Sequence, residues 1–132
     1  MPHETLAPPT LSAPRGYSQV TVVTSHKQVH VSGQVALNAA GEVVGKGDLA
    51  AQTEQVFVNL GHALAAAGAR LADVFKLVTY VVDLSPDKVL AVRAVRLAHL
   101  GDGPYPASTM VGVTALVHPE LLIEIEAIAA IE

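Results

Sequence analysis

Two carboxylates, Glu124 and Glu126, stand two residues apart in Leu122-Ile123-Glu124-Ile125-Glu126-Ala127-Ile128-Ala129. Alternation of this kind has the period of a β-strand, so both glutamates project from one face while Ile123, Ile125, Ala127 and Ala129 project from the other. Ile128 and Ala130 continue the glutamate face, which a freely solvated surface would not favour. The face is therefore expected to be partly covered, by another layer or another subunit. A carboxylate there can act as an acid or base. The competing reading is that both glutamates are solvated or ion-paired, as exposed strand carboxylates often are.

Other groups with chemical potential are fewer. Arg93 and Arg96 lie three apart, on one face of the helix that carries them, and either could supply positive charge. The plainer expectation is that both are solvated and pair with Asp87 or Asp102. The histidines His3, His26, His30, His62, His99 and His118 form no pair at ligand spacing, and there is no cysteine, so no metal site is expected. Gly41, Gly45 and Gly47 lack the preceding strand and following lysine of a phosphate-binding loop. Any activity is read as cofactor-free.

The elements that must position these groups follow from pattern. Residues 18–24 and 28–32 are rich in Val and Thr and are separated by Ser25-His26-Lys27, which predicts two antiparallel strands paired with each other. Asp48 is a plausible N-cap for a helix with Leu49, Val56, Leu60, Leu64 and Ala67 on one side and Gly68 as its stop. Residues 74–82 read as a central strand covered on both faces. Ser85-Pro86 opens a second helix that runs to about Leu100. Gly101-Asp102-Gly103-Pro104 breaks it and leads to a strand predicted over 111–116, before the glutamate strand. Residues 1–14, with Pro2, Pro8, Pro9 and Pro14, are expected to be a loose arm on one domain spanning 1–132.

Composition narrows the function classes. The 132 residues are 51% hydrophobic but only 4% aromatic, so the core must be aliphatic. A net charge of -4, with 8 Lys and Arg in all, makes nucleic acid an unlikely partner, because that affinity rests on neutralising phosphates. There is no apolar run near the ~20 residues of a membrane span and no signal-peptide pattern at the start. A cytoplasmic protein is the default expectation.

The chain resembles the Rid proteins, the YjgF/YER057c/UK114 superfamily of enamine and imine deaminases. Carrying the resemblance are Gly16-Tyr17-Ser18-Gln19, Val31-Ser32-Gly33-Gln34, the helix from Gln52 to Gly68, the strand from Val78 to Asp83, Pro106-Ala107 and Ile123-Glu124-Ile125-Glu126-Ala127. No single string is specific, but their order and spacing cover nearly the whole chain. The resemblance implies an α+β fold, a mixed β-sheet with two helices packed on one face. It also implies a trimeric barrel assembly, with small-molecule sites in the clefts between subunits.

By the same resemblance Glu124 holds the hydrolytic water, and Tyr17, Ser32 and Gly33 line the site. As bare residues these are a rim aromatic, a turn serine and a glycine suited to a bulge. At Ser108 the chain departs from the family, whose deaminating members carry there an arginine that grips the substrate carboxylate in a bidentate fork, which a hydroxyl cannot reproduce. A second departure is Arg93, at or near a family asparagine. Two functions result: hydrolysis of a reactive enamine or imine other than a standard 2-imino acid, or binding of a metabolite or protein by a homotrimer without turnover. An endoribonuclease is a distant third.

Overall fold

In the computed structural model residues 3–132 are described. The elements run β1 (His3–Leu6), β2 (Val20–Val23), β3 (Lys27–Gln34), α1 (Leu49–Ala66), β4 (Val74–Val82), α2 (Pro86–Leu100), β5 (Ala107–Val113) and β6 (Ile123–Ile131). The main sheet has the order β3-β6-β4-β5. β6 is antiparallel to both neighbours and β4 is parallel to β5, so the sheet is mixed. A parallel pair needs a crossover, and α2 supplies it. α1 packs over β3 and β6, with α2 alongside it.

Both helices begin where their caps predict. The Asp48 carboxylate accepts from the Ala51 N–H at 3.1 Å, and Ser85 caps α2 ahead of Pro86 at its first position. Gly68 follows the end of α1 with φ of 78°, a left-handed conformation that glycine adopts freely. Val56, Phe57, Leu60 and Leu64 of α1 bury against Leu77 and Val81 of β4 and against Ile123, Ile125 and Ala127 of β6. Each of the larger apolar side chains among them contributes about 1.5–3 kcal/mol by leaving water. That face of β6 is thereby fixed inward, and Glu124 and Glu126 must point away from the helices.

Four expectations are corrected. The segments around 18–24 and 28–32 do not pair with each other: β2 pairs with β1, and β3 pairs with β6. Val29 and Val31 of β3 join the helix-covered core, which only the main sheet offers. The start is accordingly not loose throughout, because His3–Leu6 is a strand. The fifth strand begins at Ala107 and ends at Val113, since parallel pairing with β4 starts at Lys76 and Ala107; Ser108 is therefore a strand residue. Finally, β4 lies inside the sheet but only one of its faces is covered within the chain. Val74, Leu77, Thr79 and Val81 are buried, while Val78, Tyr80 and Val82 stay partly exposed.

Candidate functional site

The glutamate face is organised by register. Tyr80 lies opposite Glu124 and Val78 opposite Glu126, yet the Tyr80 hydroxyl reaches diagonally to donate to Glu126 Oε1 at 2.7 Å. That hydrogen bond, with lesser contributions from burial and the two carboxylates, holds the phenol above its ordinary pKa. Glu126 is thus engaged by Tyr80, and Glu124 is left for other use.

Glu124 leans instead over β3. Pairing of β3 with β6 slips between Val31 and Gln34, as in a bulge, so Ser32 and Gly33 fall at the irregularity. A Cβ placed on Gly33 would lie 2.6 Å from Cδ and 2.9 Å from Cγ of Glu124. Only glycine leaves room for the glutamate in this position. Ser32 is exposed beside it.

Helix α1 anchors the approaches to both strands. Buried Gln52 donates to the Gly45 and Glu120 carbonyls at 3.2 and 2.9 Å and accepts from the Leu122 N–H at 2.9 Å, fixing the chain just before Glu124. Asn59 donates to the carbonyls of Val35 and Leu37, both at 2.9 Å, fixing the chain just after Gly33. The buried Gln52 amide is costly to remove, at about 1–3 kcal/mol for each group left without a partner.

A second feature lies on the other side of the sheet. Ser108 sits opposite Leu77 in register, on the helix-facing side of the edge strand β5. The Tyr17 segment is tied to the start of β5 by the Ser18 hydroxyl, which donates to the Tyr105 carbonyl at 2.6 Å, and by the Ser18 N–H to the Pro106 carbonyl at 2.9 Å. Tyr17, Arg93 and Ser108 consequently line one cleft of about 390 Å³ between α2 and β5, together with Gln19, Arg96 and Met110. Arg96 is buried, and neither it nor Arg93 forms an ion pair with Asp87 or Asp102. This corrects the reading of both as paired with those aspartates, and of Arg96 as solvated.

The candidate residues thus fall into two sets, Tyr17, Arg93 and Ser108 in the cleft, and Ser32, Gly33 and Glu124 on the opposite face. Tyr80 was not read as a site residue from the sequence, and Arg96 was weighed only as a possible source of charge. Tyr80 shares the glutamate side because it pairs with Glu124 across β4 and β6, a partner choice the strand's own residues do not reveal, and nothing in a helical i, i+3 spacing reveals that Arg96 is the buried member. Among the described residues no group of three or more His, Cys, Asp or Glu could hold a metal ion, and no helix is long and apolar enough to cross a membrane.

A mixed four-stranded sheet with two helices on one face, a polar edge cleft and carboxylates on the open face defines a small α+β protein of the YjgF type. The chain belongs to the Rid/YjgF family: residues 9–131 match the family model described as Endoribonuclease L-PSP. A crystal structure from Yersinia pestis, described as a protein of unknown function of the conserved Rid family, superposes with a TM-score of 0.92 at 45% identity, covering 99% of this chain and 100% of that one. A RutC family protein of Pyrococcus horikoshii is 36% identical over 114 residues, 86% of this chain and 85% of the relative. A 2-iminobutanoate/2-iminopropanoate deaminase of Dermatophagoides farinae is 29% identical over 132 residues, 99% of this chain and 98% of the relative.

Proposed function

We propose that the chain is a hydrolytic deaminase of a reactive enamine or imine metabolite and works as a homotrimer. The observation that carries this reading is Glu124, seated over the Gly33 notch while Tyr80 occupies its neighbour Glu126. In the reaction Glu124 takes a proton from a bound water as its oxygen bonds to the C=N carbon, and the π electrons move to nitrogen. The proton is then returned to that nitrogen to give a carbinolamine; its hydroxyl proton next passes to the nitrogen, the C–N bond breaks as the C=O forms, and ammonia leaves. Tyr17 and Ser32 orient the substrate. Since one chain presents Glu124 and the Tyr17 cleft on opposite faces of its sheet, a site that uses both draws them from neighbouring subunits.

Ser108 shapes the substrate range. A serine hydroxyl offers one donor where a guanidinium offers a planar fork, so it cannot grip a carboxylate in the same way. Hydrolysis of 2-aminoacrylate and of simple 2-imino acids is therefore expected to be weak, although the Dermatophagoides farinae relative is named for such substrates. Ser108 also supports a second reading, a trimer that binds a small metabolite or a protein without turnover. RNA cleavage is disfavoured by the net charge of -4.

The test is ammonia release from freshly generated imines of varied side chain, measured against the uncatalysed rate, for the native chain and for Glu124→Gln. Glutamine keeps the shape and hydrogen bonding but cannot take the proton. A substrate whose kcat falls by roughly 100-fold or more in the folded variant supports the reading. An unchanged kcat removes Glu124 from the chemistry and leaves the binding reading.

A further inference from the structure

We propose that Gln19 is a specificity-determining residue, the wall between the Tyr17 cleft and a second hollow that takes a hydrocarbon side chain of the substrate; the identity of the reacting end rests on the deaminase reading above. The hollow measures about 320 Å³ and lies against residues 7–14, in the loop that joins β1 to β2. Gln19 lines both spaces. A ligand whose imine carbon sits beside Tyr17 can therefore extend a longer chain past Gln19 into the loop hollow.

The loop is held at both ends. Leu6 pairs with Val20 where β1 meets β2, and Gly16 packs so closely on α2 that an added Cβ would lie 3.0 Å from Leu97 Cδ2. Between these anchors the Gln19 amide donates to the Ser12 carbonyl at 2.9 Å and to its hydroxyl at 3.5 Å. The wall is thus fixed by the same loop that it supports. Pro8, Pro9 and Pro14 hold φ at about −65°, which removes freedom that the loop would otherwise lose when a ligand binds.

The lining decides the class of ligand. Thr5 to Pro14 is a stretch without a charged residue, and Pro8, Pro9, Leu11, Ala13 and Pro14 give the hollow a hydrocarbon surface. Its polar side chains, Ser12 and Gln19, are already bonded to each other. A charged or hydroxylated chain would lose water there without gaining partners, whereas an alkyl chain gains from burial. Leu11, 48% exposed, leaves apolar surface for such a chain to cover. On the other side of Gln19, Leu84, Val89 and Met110 continue the apolar surface along the cleft. The favoured substrate is accordingly an imine or enamine with a long uncharged alkyl chain.

The experiment has two arms, both on the full chain. In the first, ketimines are generated in situ from 2-aminobutane, 2-aminohexane and 2-aminooctane, and ammonia release is measured above the uncatalysed rate. From the shortest to the longest, kcat/KM should rise by at least about tenfold. Ala13→Phe, which fills the hollow from an exposed loop position, should abolish that rise and leave the shortest substrate within about twofold of native. Gln19→Ala, which removes the wall, should move the preference further towards the longest. In the second arm 2-butanone and 2-octanone, the corresponding ketones, are titrated with amide chemical shifts as the readout. The octanone should bind at least about tenfold more tightly and move the Leu11 and Ala13 amides. A flat chain-length profile wherever turnover is seen, ketone affinities independent of length, or a rise that survives Ala13→Phe each overturns the subsite, and an unchanged preference in Gln19→Ala overturns the role of its side chain. If no imine is turned over, the deaminase reading fails and the ketone titration alone decides the hollow.

Discussion

The Glu124 side chain occupies the space in which residue 33 would carry a Cβ, with its Cδ only 2.6 Å from that point. The atoms in conflict all belong to a flexible side chain, so Gly33→Ala should be accommodated by rotating Glu124 rather than by moving the backbone. We expect Gly33→Ala to unfold within about 1 kcal/mol of the native chain while losing at least about tenfold in kcat. Wild-type activity in a crystal structure with Glu124 displaced would separate the notch from the chemistry.

Tyr80 and Glu126 make the complementary case. Tyr80→Phe deletes the hydroxyl that engages Glu126 at 2.7 Å and leaves two carboxylates on the same strand face without that donor. If Tyr80 serves to keep Glu126 away from Glu124, the variant should stay folded while kcat falls by about tenfold as Glu126 is freed to compete for the space beside Glu124. An unchanged kcat in the folded variant would reduce the hydrogen bond to a structural detail. The measurement is kcat at fixed pH on any substrate that the native chain turns over.

Much of this geometry was legible in the sequence, for local reasons. Asp48, Gly68, Ser85 and Pro86 are capping residues whose effect is confined to one turn, so both helices fall where expected. The alternation in β6 settled which way Glu124 points before any partner strand was known. Pairing is different, because it depends on residues distant in sequence. Val20 to Val23 could match any nearby strand, and whether it joins β3 or β1 is decided by β3 being claimed by β6. Burial of Arg96 was equally hidden, since it results from where α2 settles against the Tyr17 segment.

The open face of the sheet bears on assembly. Val78, Val111 and Ile128 stand there beside Tyr80 and the glutamates, and Val111 is 39% exposed. We expect light scattering at micromolar concentration to give a particle three times the mass of the chain, and Val111→Lys to shift it towards monomer without loss of secondary structure. A native chain that stays monomeric would defeat both the trimer and the shared site proposed for it.

His3 provides a test in pH. It anchors β1, is 5% exposed, and neither ring nitrogen has a partner. Burial lowers its pKa below the ordinary 6.5, outweighing the opposing pull of Asp73. Above that ordinary value the imidazole is neutral whether β1 is docked or released, so it contributes no pH dependence. As pH falls below it, the released strand binds a proton that the buried ring resists, and docking of β1 on β2 weakens until the docked ring also titrates. Amide protection in β1 and β2, corrected for intrinsic exchange, should therefore drop as pH falls below about 6.5, while β4 and β6 hold theirs. His3→Leu should flatten that drop. An equal loss of protection in the leucine variant would assign the effect to another group, Asp73 first among them.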